Sequence, residues 1–243
     1  MAATKSAPSS PSPVTAAQAV ALLKAQSSQT HREGLTRFGI PNDHALGVPM
    51  STIQAIGKQI GRQHALADPL WDTGIYEARS LVAFIADPVQ LSAAQMDRWC
   101  REFDNWAICD TLCFHLFDRS PHAWLKVKRW SARRGEFQRR TAFALLASLA
   151  VHDKRATDAD FEASLALIAA AAGDERNFVK KGVSWALRAI GHRNPGLYQQ
   201  ALALAKQLAA SEDQAERWVG KDTLRDLNRP LVQKRHSKKA KGA

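Results

Sequence analysis

Apolar residues recur with the period of an α-helix along nearly the whole chain, and the strict alternation typical of strands is almost absent. Several local signals predict where helices begin. A capping residue stands before a proline at Asp68-Pro69, Ser120-Pro121 and Asn194-Pro195. Residues 92–95 (Ser-Ala-Ala-Gln) and 157–160 (Thr-Asp-Ala-Asp) resemble capping boxes, and Gly173 predicts the end of the apolar run 161–172. The pattern therefore predicts an all-α protein.

Five aromatic residues recur at similar intervals, and we interpret each as opening the inner helix of a helix pair. Successive members are 35, 31, 41 and 40 residues apart: Trp71, Trp106, Phe137, Phe178 and Trp218. Periods near 40 with two helices per unit are typical of HEAT-like repeats, whose corresponding helices line one concave face. We therefore expect a superhelical solenoid of HEAT-like antiparallel helix pairs with a concave basic groove. An irregular helical domain is the alternative.

Charge and composition divide the chain into three parts. Residues 1–15 are rich in Ser, Pro and Ala and predict a disordered leader, residues 16–233 form the repeat domain, and residues 234–243 form a basic tail that we expect to be disordered. Lys and Arg number 34 against 23 acidic residues, for a net charge of +11. Because the tail holds five of the positive charges, the remainder is itself basic. A polyanion is the natural partner, although surplus charge also serves solubility alone.

Several classes of protein are disfavoured by the sequence. The three cysteines, Cys100, Cys109 and Cys113, lack zinc-site spacing, and no His-Glu-x-x-His motif occurs. No apolar stretch is long enough to span a membrane, and the leader lacks the apolar core of a signal peptide. We expect a cytoplasmic protein without membrane association, metal or cofactor.

One predicted inner helix carries an unusual pair of residues. Trp106 and Asp110 are four apart and therefore share a helix face, although Asp is rarely buried without a partner. An aspartate paired for structural reasons stays an open alternative. Basic residues on the following inner helices alternate with aromatic ones, which suits a nucleic-acid groove; the candidates are Arg139, Arg140, Lys180, Lys181 and Arg188. A scaffold that binds an acidic protein is the competing interpretation.

Several segments resemble the AlkD-like DNA alkylation-repair glycosylases, in order, between about residues 32 and 228. They are residues 105–110, 137–145 and 177–195, with parts of the irregular loop region at 37–40 and 45–48. The most specific parts are the Trp-x-x-x-Asp pair and Phe-Val-Lys-Lys-Gly-Val-Ser-Trp-Ala-Leu-Arg at 178–188. Long irregular loops such as residues 39–49 are often functional.

The resemblance implies a superhelix that holds duplex DNA in a basic cleft and acts as a monomer without metal or cofactor. The implied reaction is hydrolysis of the N-glycosidic bond of cationic alkylpurines of the 3-methyladenine and 7-methylguanine kind. Asp110 falls at the catalytic carboxylate, Trp106 and Trp185 at the two indole positions facing the lesion, and Arg140 at a phosphate contact. Phe38 falls at an aromatic position where better-known members carry Tyr.

The implied chemistry suits these residue types. A fixed carboxylate stabilises the positive charge that develops on the deoxyribose, and each indole face favours a cation by roughly 0.5–2 kcal/mol. The second hypothesis is a non-catalytic HEAT-like module that recognises DNA or RNA structure.

Overall fold

The computed structural model describes residues 13–241, which contain fourteen α-helices and no strand. Most of the predicted leader, residues 1–12, lies outside the described residues. Residues 13–15 belong to the folded part, because the Val14 amide donates to the Gln63 side chain and Thr15 caps the first helix. No helix within the described range is long and apolar enough to cross a membrane.

Most helices follow one another through short connections, and the long exception is residues 35–49 between the second and third helices. They are α1 (Ala16–Lys24), α2 (Gln29–Gly34), α3 (Met50–Ile60), α4 (Ala67–Trp71), α5 (Tyr76–Ile85), α6 (Ala93–Arg101), α7 (Trp106–His115), α8 (Ala123–Ser131), α9 (Glu136–His152), α10 (Asp158–Ala171), α11 (Asn177–Gly191), α12 (Pro195–Ala209), α13 (Gln214–Leu227) and α14 (Pro230–Lys241). Three short 3-10 segments, Leu35–Phe38, His64–Leu66 and Phe117–Arg119, complete the described part.

The helices pack in two layers. One layer runs α3, α5, α7, α9, α11 and α13, each in contact with the next. The other contains α8, α10, α12 and α14, again in contact one after another, and each of α8, α10 and α12 packs on the odd-numbered helix that follows it. Stacked pairs of this kind bury a continuous core that no pair could bury alone. The predicted all-helical stack of HEAT-like pairs is confirmed.

The aromatic repeat is right for the three central positions and wrong for the first and the last, since Trp218 is the fifth residue of α13 and does not open it. Trp106 is the first residue of α7, and Phe137 and Phe178 are the second residues of α9 and α11. Trp71, by contrast, ends α4 and is fully buried, with its ring stacked 5.0 Å from Trp99. The inner helix of that pair is α5, which opens on Tyr76. The interval of 35 residues before Trp106 thus leads to a buried core tryptophan and not to the start of an inner helix.

Three predicted helix starts are confirmed, and in each the capping residue stands directly before the first turn of the helix. Asn194 caps α12 with proline at the first position, Ser92 caps α6, and Thr157 forms a complete capping box with Asp160.

Two predicted caps are wrong. Asp68 lies inside α4, where its carboxylate pairs with Arg98 instead of capping. Ser120 accepts the His122 amide in the turn before α8, so the Ser-Pro pair precedes the helix by a turn. In both cases the polar side chain takes a partner other than the helix terminus.

The prediction of a disordered tail is wrong over residues 234–241, which belong to α14. His236 is buried and stacks on Tyr198 of α12, with ring centroids 4.4 Å apart. Arg235 donates to His192 Nδ1 at 2.5 Å. These contacts dock the start of the basic segment, which composition alone does not reveal.

Candidate functional site

Three helices of the inner layer begin at the same edge of the molecule with an aromatic residue. Trp106, Phe137 and Phe178 stand within the first two positions of α7, α9 and α11, and the two phenyl rings lie 5.4 Å apart. Helix N-termini present unpaired amide N–H groups and a partial positive charge, which favour anions. Two amides here already have acceptors, since Asn105 accepts the Ile108 amide of α7 and Glu136 accepts the Phe178 amide of α11, so only part of this capacity remains for an anion.

A cleft of about 540 Å³ opens at this edge, and we call it the N-terminal cleft. It is lined by Arg37, Phe38, Gly39, Trp106, Arg140, Asn177, Phe178 and Lys181. Arg37 and Lys181 are exposed and form no ion pair within the described part of the chain. The cleft therefore carries two positive charges that no carboxylate balances.

Asp110 and Arg140 form a bidentate ion pair between α7 and α9. Arg140 Nε donates to Asp110 Oδ1 at 3.0 Å and Nη2 donates to Oδ2 at 2.7 Å. Arg140 Nη1 also donates to the Phe178 carbonyl of α11 at 2.8 Å, so one guanidinium joins three inner helices. The Arg140 side chain is 7% exposed and that of Asp110 21%. Two of the five guanidinium N–H groups remain unused.

The protonation of Asp110 follows from this geometry. Burial raises the pKa of the carboxyl above its ordinary value, and the Arg140 guanidinium opposes that shift. Since both oxygens accept a hydrogen bond from Arg140, the arrangement fits the ionised carboxylate.

Trp106 is fixed by the segment that carries Phe38. Its indole Nε1 donates to the Phe38 carbonyl at 2.7 Å, and Arg140 Cζ lies 5.9 Å from the ring centroid. The Phe38 ring itself is 65% exposed. Gly39 follows with φ of 69°, and a Cβ there would lie 3.3 Å from the Phe178 ring, so glycine serves both the turn and the close approach.

A buried carboxylate anchors the loop that follows Phe38. Glu77 of α5 is fully buried and accepts three successive amides, from Leu46 at 2.8 Å, Gly47 at 2.7 Å and Val48 at 3.2 Å. Sequence reasoning missed Glu77, because nothing local marks a contact between residues thirty positions apart. The anchor holds the loop of residues 39–49 against the helical stack.

Trp185 and Arg188 lie further along α11 than the residues of the N-terminal cleft. Both line a second cleft of about 690 Å³ at the C-terminal ends of α9 and α11, which we call the C-terminal cleft, together with Lys154, Asp158, His192, Arg193 and Asp226. Trp185 follows Lys181 by one helical turn on α11. The residues predicted to surround one lesion are thus distributed over two neighbouring clefts.

Two other predicted DNA contacts have partners within the protein. Arg139 pairs with the buried Asp174 at 2.9 Å, and the Lys180 ammonium lies 5.1 Å from the centroid of the Trp218 ring. Of the predicted basic residues, Lys181 is thus the one exposed in the N-terminal cleft without an ion pair among the described residues. Sequence reasoning did not select Arg37 and Asn177, which line the same cleft.

Comparison with known proteins places the chain in a family. A solved structure described as "a new family of proteins related to the HEAT-like repeat DNA glycosylases with affinity for branched DNA structures" matches 87% of this chain and 95% of its own, with 19% identity and a TM-score of 0.73. That likeness shows the fold. A designed armadillo repeat protein, with 11% identity over 82% of this chain and all of its own, has a TM-score of 0.34, too low to support an argument.

The sequence itself provides the assignment. No curated protein matches the chain. The family model for DNA alkylation repair enzymes matches residues 19–227, which include every inner helix. The chain belongs to the DNA alkylation repair enzyme family.

Proposed function

We propose that the protein is a monofunctional DNA glycosylase that hydrolyses the N-glycosidic bond of cationic alkylated purines in duplex DNA. The observation that carries the proposal is the Asp110 carboxylate, held ionised by Arg140 beside a cleft with two unbalanced cations. Family membership supports the DNA repair context, and the fixed carboxylate supports the glycosylase chemistry.

The reaction needs little activation beyond this carboxylate. The electron pair of the glycosidic bond moves to the cationic purine, which leaves as a neutral base. The deoxyribose gains oxocarbenium character, and Asp110 stabilises that charge. Water then adds to the sugar carbon and releases a proton to Asp110 or to solvent. Preorganised charge of this kind is commonly the largest single contribution to catalysis.

Arg140 links catalysis to binding of the DNA backbone. Its two unused N–H groups are available to a phosphate while the other three hold Asp110 and the Phe178 carbonyl. A phosphate at this guanidinium shares its positive charge, so less of that charge neutralises Asp110. Lys181 and Arg37 add phosphate contacts on either side of the cleft.

The aromatic residues supply surfaces for the lesion. The Trp106 ring is fixed by its hydrogen bond to the Phe38 carbonyl, and its face favours a cationic sugar or base. Phe38 is exposed enough to stack on a base. Unlike a tyrosine at this position, it has no phenolic hydroxyl to donate a hydrogen bond. We further propose that the protein acts as a monomer. We also propose that it works in the reducing cytoplasm, with which the free, buried thiols of Cys100, Cys109 and Cys113 agree.

The second candidate is a non-catalytic module that binds DNA structure. One observation favours it: both Asp110 oxygens are already engaged by Arg140, as expected of a structural ion pair. The solved neighbour with the same fold is related to glycosylases and has affinity for branched DNA.

A duplex carrying a single 7-methylguanine distinguishes the two candidates. The wild-type protein should generate an abasic site, whereas Asp110→Asn should lose most excision. The variant should still bind DNA, because the exposed cations Arg37 and Lys181, which we expect to contact phosphates, are unchanged. Asp43→Asn is the matched control, since it makes the same charge change at an exposed position of the loop. Melting curves establish that each variant is folded.

Unchanged release of 7-methylguanine by Asp110→Asn contradicts the assignment of the carboxylate. Tight binding without excision by the wild-type protein supports the second candidate instead.

A further inference from the structure

The last helix, α14, is docked on the end of the helical stack by few contacts. Among its described side chains, Val232 and His236 are buried, and the His236 ring stacks on Tyr198 of α12. A hydrogen bond joins the same part of α14 to the end of α11, because Arg235 Nη2 donates to Nδ1 of His192 at 2.5 Å. With so few contacts, the loss of this hydrogen bond should change the docking measurably.

The partners of His192 determine which of its ring nitrogens carries the proton. An arginine side chain has donors and no acceptor, so Nδ1 of His192 must accept the hydrogen bond from Arg235. On the other side of the ring, Nε2 lies 2.6 Å from Asp226 Oδ2 and donates to this carboxylate. His192 is therefore neutral when α14 is docked, with its proton on Nε2.

The carboxylate of Asp226 stays charged while histidines titrate. Burial alone would raise the pKa of Asp226, but the hydrogen bond from His192 and the charge of Arg229 hold the pKa below its ordinary value. Asp226 is buried beside the ring, and Arg229 pairs with its other oxygen. A positive charge on His192 would therefore still have its anion.

Other charged groups surround His192, and most of them are cationic. Arg188 lies one turn earlier on α11 and pairs with Asp222 of α13 at 3.6 Å. Lys154 and Asp158, at the ends of α9 and α10 that face each other, line the same C-terminal cleft as His192, together with Arg193. Arg235 is the cation of α14 in direct contact with the ring.

Protonation of His192 removes the acceptor that Arg235 requires. With a proton on both nitrogens, the ring keeps its bond to Asp226 and turns a second N–H toward the guanidinium, so two cationic donors face each other. Arg235 is exposed and can move into water. Because the released state binds one more proton than the docked state, docking weakens as the pH falls.

We propose that His192 is a pH-sensitive switch for α14: the neutral ring accepts Arg235 and holds the helix on the stack, and the protonated ring releases it. An ordinary histidine titrates at about pH 6.5, so the change belongs to the mildly acidic range. Release separates residues 234–241, which include five lysines and arginines, from the end of the stack. The inference is independent of the proposed function, because neither DNA nor a lesion takes part.

Hydrogen exchange at the amides of residues 232–237 measures the docking of α14 at each pH. Protection factors are compared, because they remove the pH dependence of exchange in a free peptide. One proton can change the docking equilibrium by at most about tenfold per pH unit. Between about pH 8 and about pH 5.5, we therefore expect the wild-type protein to lose at least about fivefold protection in α14. Amides in the middle of α9 should keep theirs.

Variants on both sides of the hydrogen bond identify the titrating group. In His192→Asn, the side-chain oxygen takes the place of Nδ1 and accepts Arg235 at every pH, so protection should fall by less than about twofold over the same range. Arg235→Met keeps the apolar stem without the donor and should already have lower protection at about pH 8. His31→Asn, at an exposed histidine of α2, is the matched control and should respond as the wild-type protein does.

Two exchange results would overturn the proposal. One is protection in α14 that does not change with pH in the wild-type protein. The other is a pH response that a folded His192→Asn variant shares with the wild-type protein, which would assign the response to the buried His236. The imidazole 15N chemical shifts check the docked tautomer independently: Nδ1 of His192 should be unprotonated at about pH 8. A proton on that nitrogen would contradict the hydrogen bond from Arg235.

Discussion

Replacing Glu77 with Gln is expected to release the loop of residues 39–49 while the helical stack stays folded. The glutamine has the same size but only one acceptor oxygen. Placed at the Oε1 position, that oxygen keeps the amides of Gly47 and Val48, whereas the side-chain nitrogen faces the Leu46 amide, donor against donor. The loop therefore loses one bond outright and keeps two weaker ones.

The magnitude follows from the charge of the acceptor. A hydrogen bond to an ionised group contributes about 1.5–3 kcal/mol, and a buried donor left unpaired costs about 1–3 kcal/mol. One lost bond and two weakened ones should destabilise the anchored loop by about 3 kcal/mol. Because a loop can open without global unfolding, most of this loss should appear locally, and the global free energy of unfolding should fall by less.

Hydrogen exchange at the three amides measures the effect directly. A loss of about 3 kcal/mol corresponds to roughly a hundredfold loss of protection at Leu46, Gly47 and Val48. The Trp106 indole N–H should exchange faster as well, because its acceptor is the carbonyl of Phe38 at the start of the loop. Amides in the middle of α9 should be unchanged.

The control is Glu175→Gln, which removes one negative charge from an exposed position between α10 and α11. It should leave every protection factor near its wild-type value. If Glu77→Gln leaves the protection of the loop amides unchanged, the carboxylate does not hold the loop and the reasoning is refuted.

Three further predictions concern single positions. Gly47→Ala should open the same loop, because φ is 78° and a Cβ would clash with the Ser28 carbonyl oxygen; hydrogen exchange at the Leu46 and Val48 amides measures the loss, and unchanged protection contradicts it. Thr157→Ala removes the side-chain half of the capping box with Asp160 and should cost about 1 kcal/mol in urea unfolding, whereas an unchanged midpoint contradicts it. Because burial raises the pKa of Asp110 and the active form is the carboxylate, single-turnover excision should fall with decreasing pH before an ordinary aspartate titrates; a rate that holds to lower pH contradicts this.

The local signals in the sequence predicted much of the fold. The period of the apolar residues, the box at Thr157 and the Asn194-Pro195 start depend on neighbours within one helical turn, and these were confirmed. The predictions that failed involve partners distant in sequence. Asp68 pairs with Arg98 instead of capping, and His236 docks the predicted tail by stacking on Tyr198.

The same distinction applies to the candidate site. Spacing placed Trp106 and Asp110 on one helix face, but it left open whether Asp110 had a structural partner. The structure supplies that partner, Arg140, from thirty residues away. Helical spacing also put Trp185 on the same face of α11 as Lys181, yet it could not show that the face passes through two clefts. Such divisions depend on how neighbouring helices end, which the sequence of one helix does not contain.

The Asp110–Arg140 pair accounts for how a carboxylate can be kept ready in a partly buried site. Two unit charges about 4 Å apart attract each other by about 4 kcal/mol at the effective dielectric typical near a protein surface, enough to offset much of the cost of burying Asp110. The same attraction opposes catalysis, because a neutralised carboxylate stabilises a cationic sugar poorly. In the proposed function, a DNA phosphate at the unused N–H groups of Arg140 would resolve the conflict, because the guanidinium would then be shared by two anions and would neutralise Asp110 less. In the proposed enzyme, full electrostatic assistance would therefore develop only on bound DNA.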